Sequence, residues 1–224
     1  MNCDVIATGS GGNAVVLDGR IMVDCGVPFC KLGPFLRDLG VVFLTHRHGD
    51  HFKKNTVQRL AKERPTIRWS MGEHMLPLAD GVIPARCIDV LKPGEEYGYR
   101  TEGGTLFVRP VRLQHDVQNF GYHFTFCSDS EHFFRIFYAT DTGTLDGIEA
   151  KDYDLYLVEA NYEEEELRAR EAEKLAAGEF SYESRAALNH LSAEQARGWL
   201  AANAGPQSRV IWLHQHQVRK RGNR

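Results

Sequence analysis

The sequence predicts an α/β fold, and three observations carry that expectation. Its first half is divided into short apolar runs by glycine-rich turns, its second half alternates strands with helical-period segments, and its metal-ligating side chains fall directly after strands. Runs at 5–8, 14–17 and 21–24, separated by Gly9-Ser10-Gly11-Gly12-Asn13 and Asp18-Gly19, suit a β-meander with tight turns. A strand at 41–44 (Val-Val-Phe-Leu) follows. Residues 52–62 then place Phe52, Val57, Leu60 and Ala61 at helical spacing. Further strands are expected at 66–69, 106–113, 121–127, 133–139, 155–158 and 210–213. Residues 163–177 read as a charged helix with little apolar surface, hence a solvated face. The last helix opens with the capping-box pair Ser192 and Gln195, carries the stripe Ala196, Trp199 and Leu200, and ends at Gly205-Pro206.

A chain of 224 residues fits one domain, 1–224, and no repeat or linker divides it. Arg219-Lys220-Arg221 makes residues 217–224 a basic tail, while the net charge of −3 argues against a broad basic face for long nucleic acid. The start Met1-Asn2-Cys3-Asp4 does not read as a secretory signal, and no run approaches the roughly 20 apolar residues of a membrane span. Five cysteines without a Cys-x-x-Cys pair suit buried free thiols and a reducing cytoplasm.

The chemistry is concentrated in Thr45-His46-Arg47-His48-Gly49-Asp50-His51, where three imidazoles and one carboxylate follow an apolar strand. Imidazole nitrogen and carboxylate oxygen are the ligands a borderline cation such as Zn²⁺ accepts, with Mn²⁺ as the alternative. Four such groups exceed what a single ion with an open catalytic position needs from one loop, which points to two ions. A pattern of this kind arises by chance in about one such chain per thousand. The remaining strands end similarly: 106–113 runs into His115-Asp116, 133–139 into Asp141, 155–158 into Glu159 and 210–213 into His214. The carboxyl edge of a layered sheet is where loops converge on ligands, because the backbone there is free of ladder bonds.

These residues resemble the metallo-β-lactamase-fold hydrolases. The shared pattern comprises Thr8 to Asn13, Val23-Asp24-Cys25-Gly26, His46-x-His48-x-Asp50-His51, His115-Asp116 with Gly121-Tyr122, Ala139 to Gly143, Glu159 to Tyr162, Asn189 to Ser192 and Leu213-His214. The likeness is greatest to small bacterial and phage members related to the phosphodiesterase branch that includes the tRNA 3′-processing endonuclease. The resemblance implies a four-layer αββα sandwich with a binuclear metal site along one edge. It places His46, His48 and His115 on one metal and Asp50, His51 and His214 on the other, with Asp141 bridging. His216 rivals His214 for the last position. The resemblance also implies that His190, oriented by Glu159, protonates the leaving group, that Asp50 orients the attacking water, and that relatives pair as homodimers.

Two cations roughly 3.5–4 Å apart lower the pKa of a shared water towards about 7. The function expected is therefore a metal-dependent phosphodiesterase using a metal-bridged hydroxide on nucleotide-like substrates, either cyclic nucleotides or short nucleic-acid ends. The 72 residues between Asp141 and His214 leave no room for a large insertion, which favours compact substrates. Trp69, Phe120, Tyr122, Tyr162 and Tyr182 offer base-stacking faces unless they are core. Thioester, lactone or lactam hydrolysis is the alternative, and a non-enzymatic metal-stabilised binding protein the third. Asp24 is expected to brace the metal loop as a hydrogen-bond acceptor. His74, His123 and His132 read as surface or hydrogen-bonded histidines, and the Gly9–Asn13 turn as a hairpin.

Overall fold

The structure, a computed structural model, describes residues 1–130, 132–178 and 187–215. His216, Tyr182 and the basic tail lie outside these residues. The chain forms two six-stranded mixed sheets. The first runs in spatial order from β1 to β6: β1 (Cys3–Ala7), β2 (Ala14–Leu17), β3 (Ile21–Val23), β4 (Val41–Leu44), β5 (Arg68–Gly72) and β6 (Ile88–Leu91). The second comprises β7 (Tyr97–Thr101), β8 (Gly104–Leu113), β9 (Asn119–Ser128), β10 (Phe133–Ala139), β11 (Leu155–Glu159) and β12 (Arg209–Leu213), also in sequential order. In each sheet the early strands pair antiparallel and the late ones parallel: β3, β4, β5 and β6 in the first, β10, β11 and β12 in the second.

Side-chain alternation along the strands builds the layers. Val15, Leu17, Val23 and Phe43 face the second sheet and meet Val108, Tyr122, Phe124, Tyr138 and Leu157 in a central core. Ala14, Val16, Met22, Val42 and Leu44 face outward and pack beneath helix α1 (Lys54–Glu63), which buries Val57, Leu60 and Ala61. On the far side Phe137, Tyr156 and Val158 pack with Ala193, Ala196 and Leu200 of the last helix, α4 (Ala193–Asn203). A short helix, α2 (Leu76–Ala79), follows β5. Helix α3 (Glu164–Ala176) buries only Leu167 and leaves Leu175 exposed, as its charged face predicts.

The expected αββα layering is present, and so is the capping box: Gln195 N–H donates to Ser192 Oγ at 3.0 Å and Ser192 N–H to Gln195 Oε1 at 2.9 Å. Asp18 and Gly19 both have positive φ (52° and 69°), the left-handed pair that a two-residue hairpin between β2 and β3 demands. Helix α1 begins at Lys54 instead of residue 52, because Phe52 bridges Cys25 and Lys53 N–H donates to Cys25 O. β6 and β7 are additional to the expected strands. All five cysteines are free; Cys25 and Cys87 are buried as expected, Cys3 and Cys127 only partly, and Cys30 is exposed. No helix among the described residues is long and apolar enough to cross a membrane.

Candidate metal centre

The site lies where both sheets present their carboxyl ends. β3 leads into Asp24; β4 into Thr45, His46, His48, Asp50 and His51; β8 into His115; β10 into Asp141; and β12 into His214. Glu159 closes β11, and His190 precedes the N-cap of α4. Asp24 is wholly buried and organises the metal loop. It accepts from Thr45 N–H (2.9 Å), from Thr45 Oγ1 (2.9 Å) and from His51 Nδ1 (2.7 Å), as a bracing carboxylate should. Thr45 Oγ1 also lies 3.0 Å from His46 Nδ1, so that ring turns its Nε2 inward, 3.1 Å from His48 Nδ1 and 3.4 Å from Asp141 Oδ2.

Asp141 is the centre of the arrangement. Its Oδ2 lies 2.7 Å from His51 Nε2; its Oδ1 is 3.6 Å from His190 Nδ1 and in contact with His214 Nδ1. One carboxylate thus faces four imidazoles. His115 Nε2 lies 3.3 Å from His48 Nδ1, while its Nδ1 is 3.1 Å from Asn189 O. The ligand atoms of His46, His48 and His115 fall within 4.8 Å of one another, as do those of His46, His51 and Asp141, and those of Asp141, Glu159, His190 and His214. Asp50 stands at the margin of these groups. Its Oδ2 is 3.8 Å from His51 Nε2 and accepts from Asn13 Nδ2 at 3.4 Å.

Electrostatics divide the histidines. Burial, reinforced by His51, holds His46 far below the usual imidazole range, which keeps it neutral and ligand-competent. His51 and His214 are buried too, but the carboxylates outweigh burial: Asp141 and Asp24 push His51 well up, and Asp141 and Glu159 raise His214 to about 10. Burial alone would raise Asp141, yet His51 and His214 beside it hold its carboxyl well below the usual range.

The donor set fits divalent cations. His48 Nδ1 lies 3.1 Å from His46 Nε2 and 3.3 Å from His115 Nε2, more than one neutral nitrogen can pair with, and the buried His214 Nδ1 faces oxygens of both Asp141 and Glu159. A cation among these atoms satisfies all of them at once.

Within the last of these groups, Glu159 Oε1 accepts from Thr142 N–H (2.7 Å) and Leu191 N–H (3.1 Å), which leaves Oε2 3.1 Å from His190 Nδ1. Three contributors escaped the sequence reading. Thr45 joins Asp24 to two histidines. Asn13 N–H donates to Asp50 O at 2.6 Å, and its side chain reaches His51 Nε2 at 2.7 Å. Thr8 Oγ1 accepts from His214 N–H at 2.6 Å. Thr8 and Asn13 stand in the opening stretch of the shared pattern, but a glycine-rich stretch there also reads as a plain hairpin turn, so neither was given a role at the site. Trp69, Phe120 and Tyr122 are fully buried and Tyr162 nearly so, which removes them as stacking faces. His74 and His123 are hydrogen-bonded and His132 is exposed.

An αββα sandwich whose strand ends gather His and Asp groups for metal defines a metal-dependent hydrolase. The beta-lactamase superfamily domain matches residues 19–214, and the chain belongs to that family. Among solved structures, the metallo-beta-lactamase fold protein YhfI from Bacillus subtilis is similar at 15% identity and a TM-score of 0.66, over 95% of this chain and 85% of that one. A long-form RNase Z from yeast is similar at 14% identity and a TM-score of 0.66; the match spans 96% of this chain but 37% of the RNase Z. A diphosphatase of the PhnP family follows at 13% identity and a TM-score of 0.57, over 95% and 85% of the two chains. No curated protein matches in sequence.

Proposed function

We propose that the chain is a phosphodiesterase acting on nucleotide-like substrates, with His46, His48 and His115 holding one divalent ion, Asp50, His51 and His214 the other, and Asp141 shared. Zn²⁺ suits this donor set best and Mn²⁺ next. Bound there, the ions supply a nucleophilic oxygen at neutral pH and offset charge developing on phosphoryl oxygens. The observation that carries the reading is the His190–Glu159 pair. Its Nδ1 engaged at 3.1 Å with a buried carboxylate, and its side chain 20% exposed, His190 keeps Nε2 available to a substrate. Burial raises the pKa of Glu159, but its hydrogen bonds to His190 and His214 outweigh that and hold the carboxyl below its usual range, so it faces Nδ1 as a carboxylate. A positioned proton donor serves an alkoxide leaving group, whereas a thiolate, whose conjugate acid has a pKa near 8.5, departs without one.

Asp50, at the margin of the ligand groups and braced by Asn13, both binds and orients in this reading. RNase Z and the PhnP-family diphosphatase are consonant with phosphorus chemistry by name, although at these identities they speak to fold alone. The test is metal analysis of the purified protein joined to turnover of bis(p-nitrophenyl) phosphate, cyclic nucleotides, short single-stranded RNA and DNA, and a thioester. Hydrolysis of the thioester alone would overturn the phosphodiesterase reading.

A further inference from the structure

Two arginines flank the root of the metal loop, and none of the contacts above employs them. Arg47 stands between His46 and His48, and Arg112 lies three residues before His115 at the end of β8; both are exposed. Arg112 continues the inward row Leu106, Val108 and Pro110 one step past its last buried member, so it emerges from the gap between the sheets. Its cross-strand partner is Phe120, whose backbone N–H donates to Thr45 O at 3.2 Å, two residues before Arg47.

His74, from the opposite sheet, closes the corner. Its Nε2 is 3.2 Å from Thr45 O, and its ring meets Phe120 edge-on at 4.9 Å. Burial lowers its pKa first, and Arg112 and Arg47 add to that, so both guanidinium groups are within electrostatic reach of one ring. Neither arginine pairs with a carboxylate among the described residues, while nearby Asp116 is engaged by His48 and His115.

Two unpaired guanidinium groups beside a divalent-cation site raise a positive potential that a single reacting phosphate does not exhaust. Their forked donors match phosphate oxygens bidentately, as a lysine would not. We infer that Arg47 and Arg112 form an anion subsite that takes a second phosphate of the substrate, next to the phosphodiester being cleaved. This rests on the phosphodiesterase reading and narrows the substrate class to nucleotides bearing a further phosphate, such as a 5′-phosphorylated oligonucleotide end.

The test is calorimetric binding of dithymidine joined by an uncleavable methylphosphonate, with and without a 5′-phosphate, to the metal-loaded protein. The wild type is expected to bind the phosphorylated form at least about tenfold more tightly. Arg47→Gln and Arg112→Gln should each lose most of that preference, and Arg47→Lys should recover part of it. Equal binding of both forms by the wild type overturns the subsite, as does a preference that survives in both glutamine variants with unchanged melting temperature. A phosphate preference without turnover of any phosphodiester sinks the proposed function and leaves the subsite standing. Turnover without the preference does the reverse.

Discussion

Gly26 lies outside the His46–His51 motif, yet a methyl group there should damage the metal loop more than one placed within it. A Cβ on Gly26 would stand 1.6 Å from Asp50 O, 2.2 Å from Asp50 C and 2.9 Å from Asn13 N, all of them backbone atoms. Ordinary contact begins near 3.4 Å, so the Asp50 carbonyl must retreat by roughly 1.8 Å. No side-chain rotation relieves this, because β3 and the Asn13 turn anchor one wall through Gly26 N–H to Asn13 O (2.9 Å) and Asn13 N–H to Asp50 O. Metal ligands tolerate displacements of about 0.2 Å, so Asp50 and His51 lose their geometry before the fold does. Gly26→Ala should lower metal affinity at least about 100-fold at a stability cost of about 1–3 kcal/mol. At Gly49, between two expected ligands, an added methyl would meet nothing within 4 Å, and the residue has no positive φ, so Gly49→Ala should bind metal within about threefold of wild type. Competition against a chromophoric chelator measures both. The reverse order of effects, or wild-type affinity in Gly26→Ala, refutes the close-approach reasoning.

Substituting His190 by alanine should slow turnover by about 10²–10⁴ with metal content intact, and a parallel loss of metal would make His190 a ligand instead of a proton donor. Removing metal with a chelator should lower the melting temperature by several degrees, since ions held by the native state alone stabilise it; an unchanged transition would count against the clustered ligands binding metal. Asp24→Ala strands Thr45 N–H, Thr45 Oγ1 and His51 Nδ1 in a dry interior, so denaturant unfolding should show a loss of about 3–5 kcal/mol, and a loss under about 1 kcal/mol would refute the bracing role. His123, 3.0 Å from Tyr153 Oη, is held down to about 4 by burial and then by Arg109. The unfolded chain therefore binds a proton near pH 6.5 that the native state refuses, and stability falls as pH drops from about 6.5 to about 4, by about 2–3 kcal/mol. His123→Gln should flatten that slope in thermal melts, and parallel profiles would exclude His123 as its source.

Much of the architecture was legible because several strands are buried on both faces and read as unbroken apolar runs. Val41 to Leu44, wholly buried, is such a run, and its end marks the metal loop. β6 and β7 escaped because Ile88-Asp89-Val90-Leu91 and Tyr97-Gly98-Tyr99-Arg100-Thr101 are short edge strands, half solvated and mixed in polarity; β7 does alternate, Tyr97, Tyr99 and Thr101 inward against Gly98 and Arg100, but over too few residues to stand out. The site divides in the same way. Ligand-type residues announce themselves by chemistry after each strand, whereas Thr45 and Asn13 act through small polar groups whose partners lie far off in sequence, such as Asn13 with His51. The aromatic faces were misleading for the same reason. Phe120 and Tyr122 share the inward row with Phe124, and which row of a strand faces the second sheet is settled only when the sheets close.

Backbone strain is concentrated at the site. Of the five non-glycine residues with left-handed φ among those described, Asp24 (62°), Asp141 (54°) and His214 (48°) belong to the candidate metal centre or its bracing. Each such conformation costs on the order of 1 kcal/mol or more and persists only where its surroundings fix it. Each stands just past the end of a strand, where turning the chain back swings the side chain over the sheet edge. The fixing contacts are visible: Thr45 and His51 on Asp24, four imidazoles around Asp141, and Thr8 with Asn161 on the His214 backbone. Several of those contacts cross between the sheets, namely His46 and His51 on Asp141 and Thr8 on His214. Tyr122 Oη, from the second sheet, donates to Leu44 O at 2.6 Å at the root of the metal loop in the first, and Phe120 N–H donates to Thr45 O one residue further on. The ligand geometry is therefore a property of the closed sandwich, because Asp141 and His214 of the second sheet are held in part by groups of the first.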